Sequence, residues 1–388
     1  MLGNRTGILA SSPTVLTRSG GIDALRGVFA LWVVLFHLMP VVERLRGGDA
    51  FPVPLRYFLG LVDQLTRSNN ELHPAVLGFI VLSGYCIHRN GLRAPYQGIE
   101  QFGLRRCLRI LPVFWLACLF PILTLHFDVV VSPALTQSIH SVTQLDPYCL
   151  LTKMTAIQAL TPALFASATC PAQANGALLT VMVEIVLYAV YAGFFAAFVW
   201  RGRENWVWII CAGSFACGLV VAALSPAYPT LYDWWQNSSV YGFLPYWWIG
   251  AALLHPRVRA WTVRRFGTIA LAWTALTVVL VLGAAYAPVI AEVRKLVFSL
   301  CVGSLVCLLD EAKIGQRNPL STVGRAGYSL YAFHVPLIVC TTLYGWPWWL
   351  TLAAAIVLAF AMYLMIERPF TQLGRTLASR RPVSVGFV

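Results

Sequence analysis

Apolar runs of about 20 residues recur throughout this chain, and no other feature restricts its fold as strongly. At 1.5 Å of rise per residue, about 20 residues of helix cross a hydrocarbon layer roughly 30 Å thick. Inside that layer every backbone N–H and C=O needs a partner within the protein, which a helix supplies along its own length. Ten such runs stand at about 24–42, 73–88, 107–126, 176–200, 205–224, 239–255, 266–287, 290–309, 326–344 and 347–366. The second and sixth are the short or polar ones. Composition points the same way. Hydrophobic residues make up 59% of the chain and charged residues 11%, against about a quarter charged in an ordinary soluble protein. The expected fold class is an all-α polytopic membrane protein, a bundle of about ten transmembrane helices.

A formal net charge of +13 would suit nucleic acid, but the basic residues cluster between the apolar runs. With the N-terminus inside, Arg44, Arg46, Arg56, Arg67, Lys153, Arg294 and Lys295 fall on the outer face, 7 of the 28 Lys and Arg; the other 21 fall inside. That bias predicts both termini cytoplasmic and no nucleic-acid partner. The chain then divides into a cytoplasmic segment 1–22, a membrane domain 23–370 with an extracytoplasmic loop about 127–175, and a cytoplasmic tail 371–388. The first twenty residues lack the compact apolar core and cleavage site of a signal peptide, so the first run reads as a retained anchor. Inside the long loop, LLTKMTAIQALTPALF suits a helix lying on the membrane or on the bundle. Trp234, Trp235, Tyr241, Trp247 and Trp248 read as outer-face aromatics, where interface anchoring and stacking on sugar rings both fit.

Ten cysteines are present, without a CxxC or a zinc-spaced Cys/His pair, and no metal is expected. Eight lie in or beside apolar runs, where small buried hydrophobes are the plain reading. Cys149 and Cys170 share the long loop, and a disulfide is open to them if that loop faces an oxidising space.

Ionisable residues within the apolar runs carry the chemistry, because burying them is costly. In DALRGVFALWVVLFHLMP, Arg26 and His37 are eleven residues apart. Eleven steps of 100° end about 20° past three turns, so both point to nearly one face, roughly 16 Å apart along the axis. Snorkelling and an interhelical hydrogen bond are the bland alternatives. Ser83-Gly84 puts two small residues on the second run, where close helix packing is the simplest role. Arg105, Arg106 and Arg109 open the third run; either they are a positive-inside cluster or they clamp phosphates through paired, charge-assisted hydrogen bonds. Thr180, Glu184, Tyr188 and Tyr191 form a polar stripe, with Glu184 the one acid in its run. His334 follows Tyr331 by one turn in GYSLYAFHVPL, and Glu367-Arg368 reads as a helix-terminal ion pair.

In this order the segments resemble the acyltransferase-3 family of membrane-bound O-acyltransferases. IDALRG contains Arg26, and after ten intervening residues comes His37. FIVLSGY follows, with Ile80 where the family usually has Phe. Then come Arg105-Arg106 through Arg109 to Pro112, then Glu184 with Tyr188, then the YSLYAFHVP run, then Glu367-Arg368-Pro369. Leu179 and Thr180 stand where the family pattern has Trp-Ser. Six motifs in order span residues 22–369.

The resemblance implies transfer of an acyl group, most often acetyl, from cytoplasmic acyl-CoA (acetyl-CoA) to a hydroxyl of a glycan or glycolipid, in the inner (plasma) membrane of a bacterium. Arg26, Arg105, Arg106 and Arg109 would bind the donor. His37, Glu184 and His334 would be catalytic, and Tyr188, Tyr331 and Ser83 would contact substrate. His37 suits a general base or an acyl-carrying nucleophile. Glu184 suits orienting the acceptor or polarising a histidine. A transporter or flippase using Arg, His and Glu as a substrate relay is the rival class, against which the lack of an inverted repeat speaks.

Overall fold

Ser19 begins the first helix: its hydroxyl accepts from the amide of Ile22 at 3.4 Å, and Asp23 adds a negative charge in the first turn, where the helix dipole favours it. The computed structural model describes residues 19–47, 51–66, 72–93, 99–125, 147–161, 175–194, 198, 203–283, 287–312, 314–315 and 317–380. Among them all regular structure is helical. In chain order the helices are α1 (Gly20–Arg46), α2 (Val53–Thr66), α3 (Pro74–Arg93), α4 (Ile99–Leu125) and α5 (Pro147–Met154). Next come α6 (Leu178–Phe194), α7 (Glu204–Ala223), α8 (Pro229–Asn237), α9 (Val240–Ala252) and α10 (Pro256–Arg264). The series closes with α11 (Phe266–Val281), α12 (Ala287–Glu311), α13 (Pro319–Arg325), α14 (Gly327–Leu343), α15 (Trp348–Met362) and α16 (Arg368–Arg380). A π-helical turn, Tyr363–Glu367, joins the last two.

Each of the ten expected runs holds a helix, but the helices differ in reach. Among the described residues, three are long and apolar enough to cross a membrane: α1, α7 and the continuous stretch Trp348–Ser379. Two bent pairs, α10–α11 at 62° and α13–α14 at 76°, raise the number to five if each pair is one span. Others fall short for plain reasons. The 13 residues of α9 extend only about 20 Å at 1.5 Å each, and α12 carries five charges.

The core is set by close crossings. α3 lies against α9 with Gly84 under the Trp247 carbonyl and Gly250 under that of Val81, so that a Cβ on either glycine would strike backbone. α1 meets α13 in the same way, through Gly27 and Gly324. Small residues at such crossings let helices gain dispersion contacts in lipid, where the hydrophobic effect between helices is weak. The expected packing role of Ser83-Gly84 is what the crossing shows.

Several expectations change here. Trp234, Trp235, Trp247 and Trp248 are buried, and only Tyr241 is exposed. α9 is apolar on all sides and is enclosed on nearly all of them. Arg294 and Lys295, expected on the outer face, are buried within α12. Lys295 pairs with Glu292, which also accepts from the Tyr246 hydroxyl at 2.9 Å. Residues 368–380 continue as α16, packed on α4 with Gly374 facing Arg105 and Leu108. The loop helix expected around 150–165 is α5 and a 3-10 turn, Ile157–Ala159. The Cys149–Cys170 question lies outside the described residues.

Candidate active site

α1, α3, α4, α6 and α14 converge on a cavity of about 110 Å³, far larger than a packing void. Four arginines line it, Arg26, Arg106, Arg109 and Arg325, against two carboxylates, Glu184 and Glu367. The excess of positive charge suits an anionic ligand.

Several wall residues are held by specific contacts. Arg26 donates to Asp23 at 3.2 Å and to the Cys86 Sγ at 3.1 Å. The Arg106 guanidinium lies 5.5 Å from the ring centre of Phe102 and 5.8 Å from that of Tyr188, within cation–π range. Glu184 Oε1 accepts from the Ser83 hydroxyl at 2.7 Å and from the Tyr188 hydroxyl. Ser83 in turn accepts from the Trp247 indole at 3.3 Å. The polar stripe read on α6 is therefore real, and each of its members has a partner on another helix. Thr180 bonds the Tyr331 hydroxyl, and Tyr191 bonds His88 at 2.8 Å.

The histidines form a second cluster outside this cavity. His334 is 1% exposed, and its Nε2 stands 3.1 Å from Nδ1 of His37. His334 Nδ1 lies 2.8 Å from the Tyr331 carbonyl, and His37 Nδ1 lies 2.9 Å from the Val33 carbonyl. A carbonyl only accepts, so both Nδ1 atoms carry hydrogen when both rings are neutral. The one Nδ1 hydrogen of His37 is then shared between the Val33 carbonyl and Nε2 of His334, which accepts, and the nitrogen of His37 without hydrogen is its Nε2.

Tyr331 joins the two clusters. Its side chain lines the cavity, its ring centre is 5.8 Å from that of His334, and its carbonyl fixes the His334 tautomer. Phe79 stands beside it at 5.8 Å and also lines the cavity.

The structure thus brings Arg26, Arg106, Arg109, Ser83, Glu184, Tyr188 and Tyr331 to one cavity, and His37 with His334 to its neighbour. Arg105 is not on the cavity wall; the backbone there faces Gly374 of α16. Arg26 and His37 share α1, but Arg26 lines the cavity and His37 bonds His334 outside it. Sequence reasoning missed Glu367. The expected pair with Arg368 does not form: Glu367 is 4% exposed, accepts from Ser329 at 2.8 Å and lines the cavity, while Arg368 is exposed. Cys86, read as a plain hydrophobe, is a wall residue on Arg26. The available signals were weak: an acid ending an apolar run before proline, and a cysteine three residues past Ser83.

A helical chain with membrane-length apolar helices around a charged internal cavity has the build of a membrane-embedded protein. It belongs to the acyltransferase-3 family: the family described as an acyltransferase domain matches residues 19–366, nearly the whole chain. Acyltransferase activity follows from that membership. No curated protein and no solved structure matches it significantly.

Proposed function

We propose that this protein transfers an acyl group, acetyl in the first instance, from cytoplasmic acyl-CoA to a hydroxyl of a carbohydrate or glycolipid at the membrane. The observation that carries this reading is the arginine-lined cavity beside the hydrogen-bonded histidine pair, His37 and His334. Arg26, Arg106 and Arg109 attract the phosphates of the donor, as guanidinium groups do. Ser83, Glu184 and Tyr188 offer acceptors and donors to the amide-bearing arm or to the acceptor sugar.

In this reading His37 Nε2 takes the proton from the acceptor hydroxyl. The hydroxyl oxygen bonds to the thioester carbon, the C–S bond breaks, and the CoA sulfur takes the proton held by His37. His334 accepts the Nδ1 hydrogen of His37 throughout, which orients the ring and stabilises its cationic form. The thioester reaches His37 past Tyr331, which lines the cavity and packs against His334. The same Nε2 lone pair would attack the thioester in an acyl-imidazole route. Rapid-quench analysis with labelled acetyl-CoA and no acceptor separates the two: label retained on the protein identifies the covalent route.

The deciding experiment is turnover of labelled acetyl-CoA by the purified, membrane-reconstituted chain with cell glycans and glycolipids as acceptors. Label in an acceptor hydroxyl ester, lost in His37→Ala, is expected. Movement of an acceptor across the bilayer without CoA release would sink the proposal in favour of a transporter.

A further inference from the structure

α10 carries four arginines in ten positions, counting its C-terminal neighbour Arg265, yet none of them takes part in the cavity. Its two faces differ. The inner face is pinned to α12: Arg259 bonds the Glu311 carboxylate at 2.9 Å and the Cys307 carbonyl at 3.1 Å, and Ser304 donates to the Thr262 carbonyl at 3.0 Å. The outer face presents Arg257, Ala260, Trp261, Arg264 and Arg265, all exposed, around a shallow groove. Arg257 is one turn before the small Ala260 and Arg264 one turn after it, so both guanidinium groups reach over one spot. Trp261, half exposed at 50%, stands beside that spot.

The setting of the helix selects the ligand. α10 meets α11 at 62°. α11 is apolar and shows Leu271, Val278, Val281 and Leu282 to its surroundings. A basic helix bent sharply from an apolar one, with an exposed Trp and Phe266 at the bend, has the build of an interfacial segment. From this geometry we infer that the outer face of α10 binds the phosphodiester headgroup of an anionic phospholipid: Arg257, Arg264 and Arg265 hold the phosphate over Ala260, and Trp261 and Phe266 lie along the first acyl carbons. A soluble phosphate would gain nothing from the aromatic pair.

The test is lipid retention by the intact chain in neutral detergent, read by native mass spectrometry with added phosphatidylglycerol or phosphatidylcholine. Retention of phosphatidylglycerol over phosphatidylcholine is expected, reduced roughly fivefold for each arginine converted to glutamine among 257, 264 and 265. Ala260→Leu fills the groove with every charge kept and should lower retention as well, which separates a built site from bulk charge. Arg375→Gln on α16 should change nothing. Equal retention of the two lipids, undiminished retention in the four α10 variants, or displacement by millimolar glycerol 3-phosphate or CoA would overturn the inference.

Discussion

Nε2 of His334 lies 3.1 Å from Nδ1 of His37, tying the imidazole midway along α1 to one 297 residues further along the chain. The one hydrogen on a neutral His37 Nδ1 faces both the Val33 carbonyl and His334 Nε2, so His334 is the acceptor of the pair; under the proposed function His37 is the base. His37→Ala should therefore lower acetyl transfer by about 10²–10⁴-fold, the usual worth of a general base. His334→Ala should lower kcat by about 10–10²-fold with little change in the donor KM, because it removes an orienting partner and no donor contact. Steady-state kinetics with labelled acetyl-CoA reads both. A KM-only effect for His334→Ala would contradict the assignment.

Two neighbouring arginines should behave differently. Arg106 is on the cavity wall and Arg105 is not. Arg106→Ala should weaken CoA binding by about tenfold or more, given roughly 1.5–3 kcal/mol for a hydrogen bond to a charged group. Arg105→Ala should cost no more than about threefold, the residue of a screened, long-range charge. Calorimetric titration with CoA on detergent-solubilised protein decides the matter; equal losses would spread the donor site along the whole cluster.

Glu367→Gln offers a test with the opposite sign. The substitution keeps an acceptor for Ser329 and removes a negative charge from a wall shared with Arg26 and Arg109. Donor affinity should rise by about 2–10-fold, as expected for losing one repulsive charge at an effective dielectric near 20 or above. Weaker CoA binding would mean that Glu367 itself contacts the donor.

Close helix crossing should limit stability where α3 meets α9. Gly84→Ala drives a methyl against the Trp247 carbonyl, whereas the region around Gly103 is open. Gly84→Ala is expected to destabilise by about 1–3 kcal/mol through overpacking and to lower Tm by several degrees. Gly103→Ala should leave Tm unchanged or slightly raised. Equal melting of the two variants would remove the crossing as a constraint.

The helices themselves were legible because their periodicity and length are local properties. So was the α6 stripe of Thr180, Glu184 and Tyr188, since helical spacing alone puts these residues on one face. The fate of the tryptophans was not legible. Trp247 and Trp248 suit a membrane interface and a protein core equally well, and only the enclosure of α9 by its neighbours buries them.

Arg26 and His37 show where the boundary falls. Residue spacing fixes angle and rise, so eleven steps alone put them on one face of one helix, half a membrane apart. Which compartment each one enters was decided by what the other helices place opposite: α3, α4 and α6 bring an arginine-walled cavity to Arg26, and α14 brings His334 to His37. Glu367 makes the same point. Its π-helical turn changes the rotation of the chain by one residue and points the carboxylate inward onto Ser329 instead of outward beside Arg368. Spacing describes a side chain relative to its own helix, whereas a site is made between helices, through contacts hundreds of residues apart.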